Sequence, residues 1–319
     1  MQTKRKLTYQ IAVSAFLILG TGIVLLASII PDIRTFSEYS VHFMLGMLAI
    51  SMLALSFNKK TILFTGLICT ASLALFLKNA SNSELKLAEV NHEVRLNVAH
   101  INLGNILYDF EATRNKLLQE NIEVISLQEL TPDWHMILKD ILSVQYPYQK
   151  SEVRIDPYGM AIYSKYPFSS VTVEESQNIP FIKCEVEKQG TRFDLISSYL
   201  HPAINKIGVE TAGAQLQDIA VEINTCHNPT IAMGEFNMVY WASEIMEFRN
   251  KTQLKNSRRD ISESNLRVPY DHIFYSDQLE CTVFKELKDS SKNYIGIMGT
   301  YQKTDSETSS DTFRKLSMR

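Results

Sequence analysis

Five apolar runs in this chain stop at polar side chains of a narrow kind. Asn102 closes VRLNVAHIN, Glu129 follows EVISLQ, His201 follows SSYL, and Asp271 opens DHIFYS with His272 beside it. The fifth run, in NPTIAMGEFNMVYW (228–241), breaks at Gly234 and delivers Glu235 and Asn237 two residues apart. A polar residue at a strand end often does no more than begin a solvated loop. Here every one is a carboxylate, an amide or an imidazole. Hard divalent cations such as Mg²⁺ take oxygen ligands, commonly one or two carboxylates with water and substrate phosphate completing the shell. Amides and imidazoles hydrogen-bond phosphate oxygens. Together they make the donor set that metal-assisted hydrolysis of a phosphate ester needs.

The elements that must carry these residues alternate between strand and helix. VRLNVAHIN (94–102) alternates apolar and polar residues, FEATRNKLLQEN (110–121) has helical spacing, and IEVISLQE (122–129) is a short apolar strand. TPDWHMILKDIL (131–142) starts like a helix, with Thr131 as N-cap, Pro132 in the first turn and Asp133 favouring the dipole. GMAIYS (159–164), PFIKCEVE (180–187), RFDLISSYL (192–200), PTIAMG (229–234), DHIFYS (271–276), CTVFKEL (281–287) and YIGIMGTYQ (294–302) read as strands, and 205–225 as a long helix. Many strands, few helices and hairpin spacing late in the chain predict an α+β fold. The expected form is a four-layer sandwich, two packed mixed sheets flanked by helices.

Ahead of this domain the composition changes. Residues 7–30, 39–57 and 61–77 carry no charge over 24, 19 and 17 residues, and a membrane-spanning helix needs roughly 17–25 apolar residues. Three transmembrane helices within residues 1–78 are expected, holding the chain in a bilayer through residues 7–77. Gly20, Gly22, Gly46 and Ser51 offer small residues for helix contacts. Lys4, Arg5, Lys6, Lys59 and Lys60 flank the runs on one side and a single Arg34 on the other. The basic side faces the cytoplasm, so everything after residue 78 is expected on the outer face of a bacterial inner or plasma membrane. Residues 79–92 read as a polar linker, 93–302 as the folded domain, and 303–319, rich in Ser and Thr, as a disordered tail. A net charge of −3 and an isoelectric point near 6.2 lend no support to non-specific nucleic-acid binding. The four cysteines show no paired metal-site spacing; they read as small buried side chains or free thiols, with one disulfide left open.

The set HINLGN, EVISLQEL, YGMAIYSKYP, SSYLHP, MGEFNMVYW and VPYDHIFYS resembles, in order and spacing, the endonuclease/exonuclease/phosphatase superfamily, which has the DNase-I-like fold. The closest likeness is to bacterial members with an N-terminal membrane anchor. Their pattern D-x-[FY]-G-x-A-[IL]-x-S-[RK]-x-P is matched by 156–167, and W…FR…L…SRR by 241–259. The resemblance implies a cofactor, Mg²⁺ or Mn²⁺, and a phosphate-ester substrate. It assigns Glu129 and Asn102 to the metal, with Asn102 also near phosphate. It places His201 and Asn237 on the scissile phosphate and makes Glu235, where the family has aspartate, the group that orients or deprotonates the attacking water. Asp271 becomes the residue that steadies the catalytic histidine, His272 need not be catalytic, and Tyr158 matches a phosphate-contacting tyrosine.

The family closes with S-D-H before its last strand. Laying SKNYIGIM on that motif puts Ser291, Lys292 and Asn293 in the three places. An asparagine cannot exchange a proton near neutrality, and a lysine removes a metal ligand and adds positive charge. A second register makes Asp271 and His272 the closing pair, but leaves about 30 residues beyond the core. Arg258 and Arg259 read either as holders of an anionic substrate or as a solvated pair. Three readings of function follow. One is a membrane-anchored, outward-facing, metal-dependent phosphoesterase of reduced activity. Another is a catalytically impaired relative that binds a phosphorylated or anionic partner, with Lys292 replacing the metal's charge. The third is a scaffold for membrane partners.

Overall fold

The computed structural model describes residues 2–82, 84, 86–92, 94–106, 110–259, 267–289 and 291–304. Two six-stranded sheets form the domain. The first contains β1 (Arg95–Asn102), β2 (Val124–Gln128), β3 (Tyr148–Glu152), β4 (Met160–Ser164), β11 (Leu279–Lys288) and β12 (Tyr294–Lys303), in the order β11-β12-β1-β2-β4-β3. The second contains β5 (Phe168–Ser176), β6 (Ile179–Lys188), β7 (Thr191–Tyr199), β8 (Thr230–Glu235), β9 (Lys255–Asn256) and β10 (Asp271–Tyr275), in the order β5-β6-β7-β8-β10-β9. Each sheet has one parallel pair at its centre, β1 with β2 and β7 with β8, and is otherwise antiparallel. The predicted mixed sheets flanked by helices are therefore present. Strands β3 and β5 escaped the pattern reading because they are sheet edges, where exposed residues such as Gln149 and Ser170 replace a clean apolar alternation.

Between the sheets Leu96, Val98, Val124, Leu195, Ile231, Met233, Ile273 and Tyr301 form one core. On the outer face of the first sheet, α5 (Phe110–Gln119) and α6 (Pro132–Leu142) pack Leu117, Leu138 and Leu142 on Ala99, Ile101 and Leu127. On the second, α7 (Lys206–Asn224) and α8 (Ser243–Thr252) pack Leu216, Ile219, Ile245 and Phe248 on Ile196, Ala232 and Phe274. The pleat decides which polar residues look inward. His100 and Asn102 share the inter-sheet face with Leu96 and Val98, Ser126 and Gln128 with Val124, and Glu235 with Ile231 and Met233.

The anchor corrects one expectation. Helices α1 (Gln2–Leu26) and α4 (Lys60–Ala80) are long and apolar enough to cross a membrane, through Thr8–Leu26 and Lys60–Ala80. The middle run is α3 (Ser40–Ser56), whose 17 residues reach only about 26 Å at the helical rise, short of a hydrocarbon core of about 30 Å. It makes a third span only when joined across a 56° bend to the segment Pro31–Glu38, which includes α2 (Arg34–Glu38). Two spans, not three, meet the criterion outright. Large apolar side chains such as Phe16, Ile29, Phe57 and Ile68 point outward from these helices.

Parts of the segment read as a linker are tied to the domain. Ala88 N–H donates to Cys281 O, Asn82 bonds Asn256, and Gln302 donates to Glu89 O. Of the segment read as a tail, Lys303 ends β12 and Thr304 N–H bonds Gln278 O; 305–319 lie outside the described residues. All four cysteines are free thiols, Cys226 half-buried and the others buried.

Candidate active site

The two central parallel pairs end at the same edge of the sandwich, and the polar strand ends meet there. Asn102 lies beside Gln128 across β1 and β2, while Tyr199, Glu235 and Asp271 form a row across β7, β8 and β10. The Asn102 amide joins the two sheets. Its Nδ2 donates to Glu129 Oε1 at 2.8 Å and also to Glu235 Oε2, while its Oδ1 accepts from Gly104 N–H at 2.8 Å. Gln128 makes a second clamp, donating to Ser198 O and accepting from Glu235 N–H at 2.9 Å. The backbone there is as unusual as the bonding. Glu129 (φ 60°) and Asn237 (φ 50°) are left-handed, a conformation that costs a non-glycine residue about 1 kcal/mol or more and collects at functional sites. Gly234 has φ 150°, and a Cβ on it would meet Ser198 O at 1.9 Å, so only glycine lets β8 approach β7 and release Glu235 into the cleft.

Three acids converge with few cations. Glu235 and Asp271 face each other across β8 and β10. Burial, then the charge of Asp271, pushes the Glu235 carboxyl up to about 7. Burial also opposes ionisation of Asp271, but the nearby His100, with Arg267 and Tyr294, outweighs it and holds this carboxyl well below the usual range. Arg267 Nη1 lies 3.0 Å from Asp271 Oδ2, the Tyr294 hydroxyl donates to the same oxygen, and His100 Nε2 is 3.4 Å from Oδ1. The Arg267 guanidinium also stacks on the Tyr294 ring, 3.8 Å from its centroid. Burial and then Asp271 raise the Tyr294 phenol well above its ordinary value, so it stays protonated.

On the other flank, His201 Nδ1 sits 2.8 Å from the Tyr158 hydroxyl, and its backbone N–H donates to Gln215 Oε1 at 2.7 Å. Burial, then Asp156, raises the Tyr158 phenol, so this hydroxyl too keeps its proton. Asn237 Nδ2 donates to Leu200 O at 2.7 Å, next to His201 in the chain.

The structure thus gathers Asn102, Glu129, Glu235 and Asp271 at one edge, with His201, Tyr158 and Asn237 on the adjoining loops. Other sequence candidates lie elsewhere. Lys292 and Asn293 are exposed in the turn between β11 and β12, where Asn293 bonds Asp289 through both its N–H and its amide. Tyr294, one residue further on, is the side chain that reaches Asp271. Arg258 is buried, 3.3 Å from Glu286 and stacked on Phe284, so its charge is spent inside the fold. Arg259 bonds Asn256 O and the Tyr275 hydroxyl. His272 points to the opposite face from Asp271, with Nε2 2.8 Å from Met238 O, and burial pushes its imidazole down to about 4. With its ring turned from the cleft and held at Met238 O, His272 does not stand beside Asp271 as the second register requires.

Sequence reasoning missed His100, Gln128, Arg267 and Tyr294. The first two were signalled by alternation, because polar residues at 100 and 128 fall on the face that the apolar residues at 98 and 124 bury. Arg267 and Tyr294 carried no such signal.

Among the described residues no three His, Cys, Asp or Glu side chains stand in a metal-binding cluster. The cleft offers two carboxylates, Glu129 and Glu235, with one neutral amide between them. Mg²⁺ accepts so sparse a protein shell, keeping waters and substrate oxygens for the rest, whereas a zinc site would demand more ligands. Asn102 Oδ1 accepts from Gly104 N–H with one of its two lone pairs, so the charged carboxylate oxygens are the stronger donors to a cation.

Residues 96–311 match the model of the Endonuclease/Exonuclease/phosphatase family. The match covers more than half of the chain, which therefore belongs to that family, whose named activities cleave phosphate esters. No curated protein matches the chain. Among solved structures, one similar in fold is an endonuclease/exonuclease/phosphatase from Beutenbergia cavernae DSM 12333, 12% identical, with 66% of this chain and 72% of that chain covered and a TM-score of 0.54. Another is D. rerio TDP2 complexed with a single-strand DNA product, 18% identical, covering 66% and 100%, TM-score 0.53. A third is the human nocturnin catalytic domain with bound sulfate, 15% identical, covering 67% and 97%, TM-score 0.51. At these identities the likeness establishes the fold alone.

Proposed function

We propose that this protein hydrolyses phosphate esters with the help of a divalent cation, Mg²⁺ or Mn²⁺, from a domain anchored on the outer face of a membrane. The observation that carries this reading is the pair Glu235 and Asp271. They are two carboxyls in direct opposition, Asp271 buried and Glu235 half-buried, one pushed up to about 7 and the other held ionised. Environments that drive two acids apart in this way assign them different tasks. Glu235, poised near neutrality, accepts the proton of the attacking water, the condition under which a general base is most effective. Asn102 keeps its carboxylate aimed into the cleft. His201, steadied by Tyr158, and Asn237 hold phosphoryl oxygens. Asp271 fixes Arg267, whose charge stabilises the anion. A cation on Glu129, next to Asn102, would polarise a phosphoryl oxygen as a Lewis acid.

Tyr294 limits the chemistry. A phenol that holds its proton donates a hydrogen bond but does not shuttle protons as the family's histidine would, so the departing oxygen of an alkyl ester takes its proton from solvent and turnover is slow. This same feature favours the second reading, a domain that binds an anionic phosphate compound without turning it over. Nucleic acid is the less suited ester for a chain of net charge −3.

The outer-face placement takes the bent pair, Pro31–Glu38 with α3, as a third crossing between the two full-length spans. The end of α1, the short α2 and the end of α4 meet the domain side, through Ser28, Ser37 and Ala80. Lys59 and Lys60 lie at the other end, where basic residues favour the cytoplasm. The test is turnover by the full chain in micelles with Mg²⁺ or Mn²⁺, using p-nitrophenyl phosphate mono- and diesters beside Glu235→Gln. Metal-dependent turnover lost in the variant is expected. Tight anion binding without turnover would establish the second reading.

A further inference from the structure

The loops that carry the candidate active site are bolted to the membrane segment. Short helix α2 has two faces. On one, Arg34 Nη1 lies 2.9 Å from Glu244 Oε1, Ser37 O accepts from Trp241 Nε1 at 2.7 Å, and Glu38 Oε2 accepts from the Tyr270 hydroxyl at 2.8 Å. Ser243 Oγ adds a bond to Ser28 O at 3.0 Å. Trp241, Arg34 and Ser37 are buried in this contact. These partners are not remote from the chemistry. Tyr270 directly precedes Asp271, Trp241 follows Asn237 by four positions, and Phe236 N–H donates to Tyr270 O. An enzyme for dissolved esters needs only a tether. Here the wall of the cleft is built on the segment between two apolar helices.

The other face of α2 lines an open apolar cavity. Thr35, Phe36 and Tyr39 line it together with Phe16, Phe43 and Met47, and it holds about 570 Å³. That is within the range of ligand pockets, roughly 300–1,000 Å³. Its rim includes Phe16 and Ile50, large apolar side chains that α1 and α3 leave facing outward, so the cavity is continuous with the surface the bilayer would cover. A hydrocarbon chain entering from the bilayer fits such a space, and a polar ligand does not.

We propose that the substrate is lipid-borne: a membrane lipid whose head group carries the phosphate ester, presented to Glu235 and His201 while its acyl chain occupies the cavity between α1 and α3. The inference rests on the phosphoesterase reading above and names its substrate class. The step is hydrolysis. Water's oxygen bonds to phosphorus as the ester P–O bond breaks, one water proton passes to Glu235, and the departing oxygen is protonated from solvent.

The test uses the full chain reconstituted in phosphatidylcholine vesicles with Mg²⁺. Phosphatidic acid (a monoester) or phosphatidylglycerol (a diester) is supplied in the same vesicles, in separate protein-free vesicles, or replaced by soluble bis(p-nitrophenyl) phosphate. Gly46 lines the cavity and a Cβ on it would meet nothing within 4 Å, so Gly46→Leu fills the space without disturbing a catalytic group. Expected is lipid turnover about tenfold or more faster in the same membrane than across vesicles, because sharing a bilayer raises effective concentration. Gly46→Leu should raise KM for the lipid and leave the soluble ester unchanged. Turnover of the soluble ester with neither lipid cleaved, or an equal effect of Gly46→Leu on both, overturns the lipid assignment and leaves the phosphoesterase reading standing. If nothing is cleaved, the phosphoesterase reading fails and this inference falls with it.

Discussion

The two ends of the sandwich bury acid in opposite ways. At the end away from the cleft, Glu123 lies between the sheets with every demand met. Lys188 Nζ is 2.6 Å away, the Tyr166 hydroxyl donates at 2.6 Å, and Asn97 N–H donates at 3.0 Å. At the cleft end, Glu129 and Glu235 share one neutral amide, and Asp271 draws on His100, Arg267 and Tyr294. The first arrangement neutralises its charge and joins β1, β2 and β6. The second leaves negative charge incompletely matched in a left-handed, glycine-dependent corner. Uncompensated charge destabilises a fold, so an end that keeps it is built to receive a positive ion, a proton or a reacting phosphate.

The contrast can be broken most sharply at Glu235. Glu235→Gln preserves the acceptor for Asn102 but removes the base, and should lower kcat by about 10²–10⁴-fold. A variant that keeps wild-type turnover would end the assignment of Glu235 as base. At the far end, Lys188→Met should cost about 3–5 kcal/mol of stability by stranding Glu123, while leaving kcat of the folded protein unchanged. Denaturant melts read beside kinetics separate the two ends.

Stability should respond to pH in the sense set by Glu235. Its carboxyl is raised from 4.5 to about 7, so the folded state holds a proton that the unfolded chain has lost between these values. Stability contributed by that proton is complete below about 4.5 and falls as pH rises through 7. Glu235→Gln should therefore be more stable than wild type at pH 8, by about 1–3 kcal/mol, and indistinguishable from it at pH 4.5. A wild-type advantage at pH 8 would refute the assigned shift. The same titration should make kcat/KM rise about tenfold per pH unit below 7 and level off above it. Smallest is the effect of restoring a proton shuttle. Tyr294→His should raise turnover of alkyl esters by about tenfold, while Asn293→His changes it less than about twofold, because that side chain faces Asp289.

Much of the fold was legible because strands alternate. Glu235 and Asp271 each end or begin a run whose apolar partners lie two and four residues away, and Asn102 follows Val98 and Leu96 by four and six, so their common face follows from the period of two. Edge strands β3 and β5 lacked that contrast. The middle apolar run read as a plain span because composition counts residues, whereas the chain bends 56° between Glu38 and Ser40, and this region crosses only if the bent pair acts as one span. At the closing motif spatial placement was not legible: Asn293, read into the histidine position, faces Asp289 in an exposed turn, while its neighbour Tyr294 reaches Asp271.

The sequence by itself determined the inventory: oxygen and imidazole donors at strand ends, an alternating two-sheet domain, and apolar helices ahead of it. Only the tertiary structure decided the partnerships. Arg267 and Tyr294 come from a loop and a strand start 27 residues apart; no local pattern could pair them on Asp271, whose position is set by β10 alongside β8. Likewise Trp241 and Tyr270 reach Ser37 and Glu38 across more than 200 residues. Hydrogen bonds of 2.7–2.8 Å at such separations depend on how whole layers pack, and packing is a property of surfaces that the linear order of residues does not display.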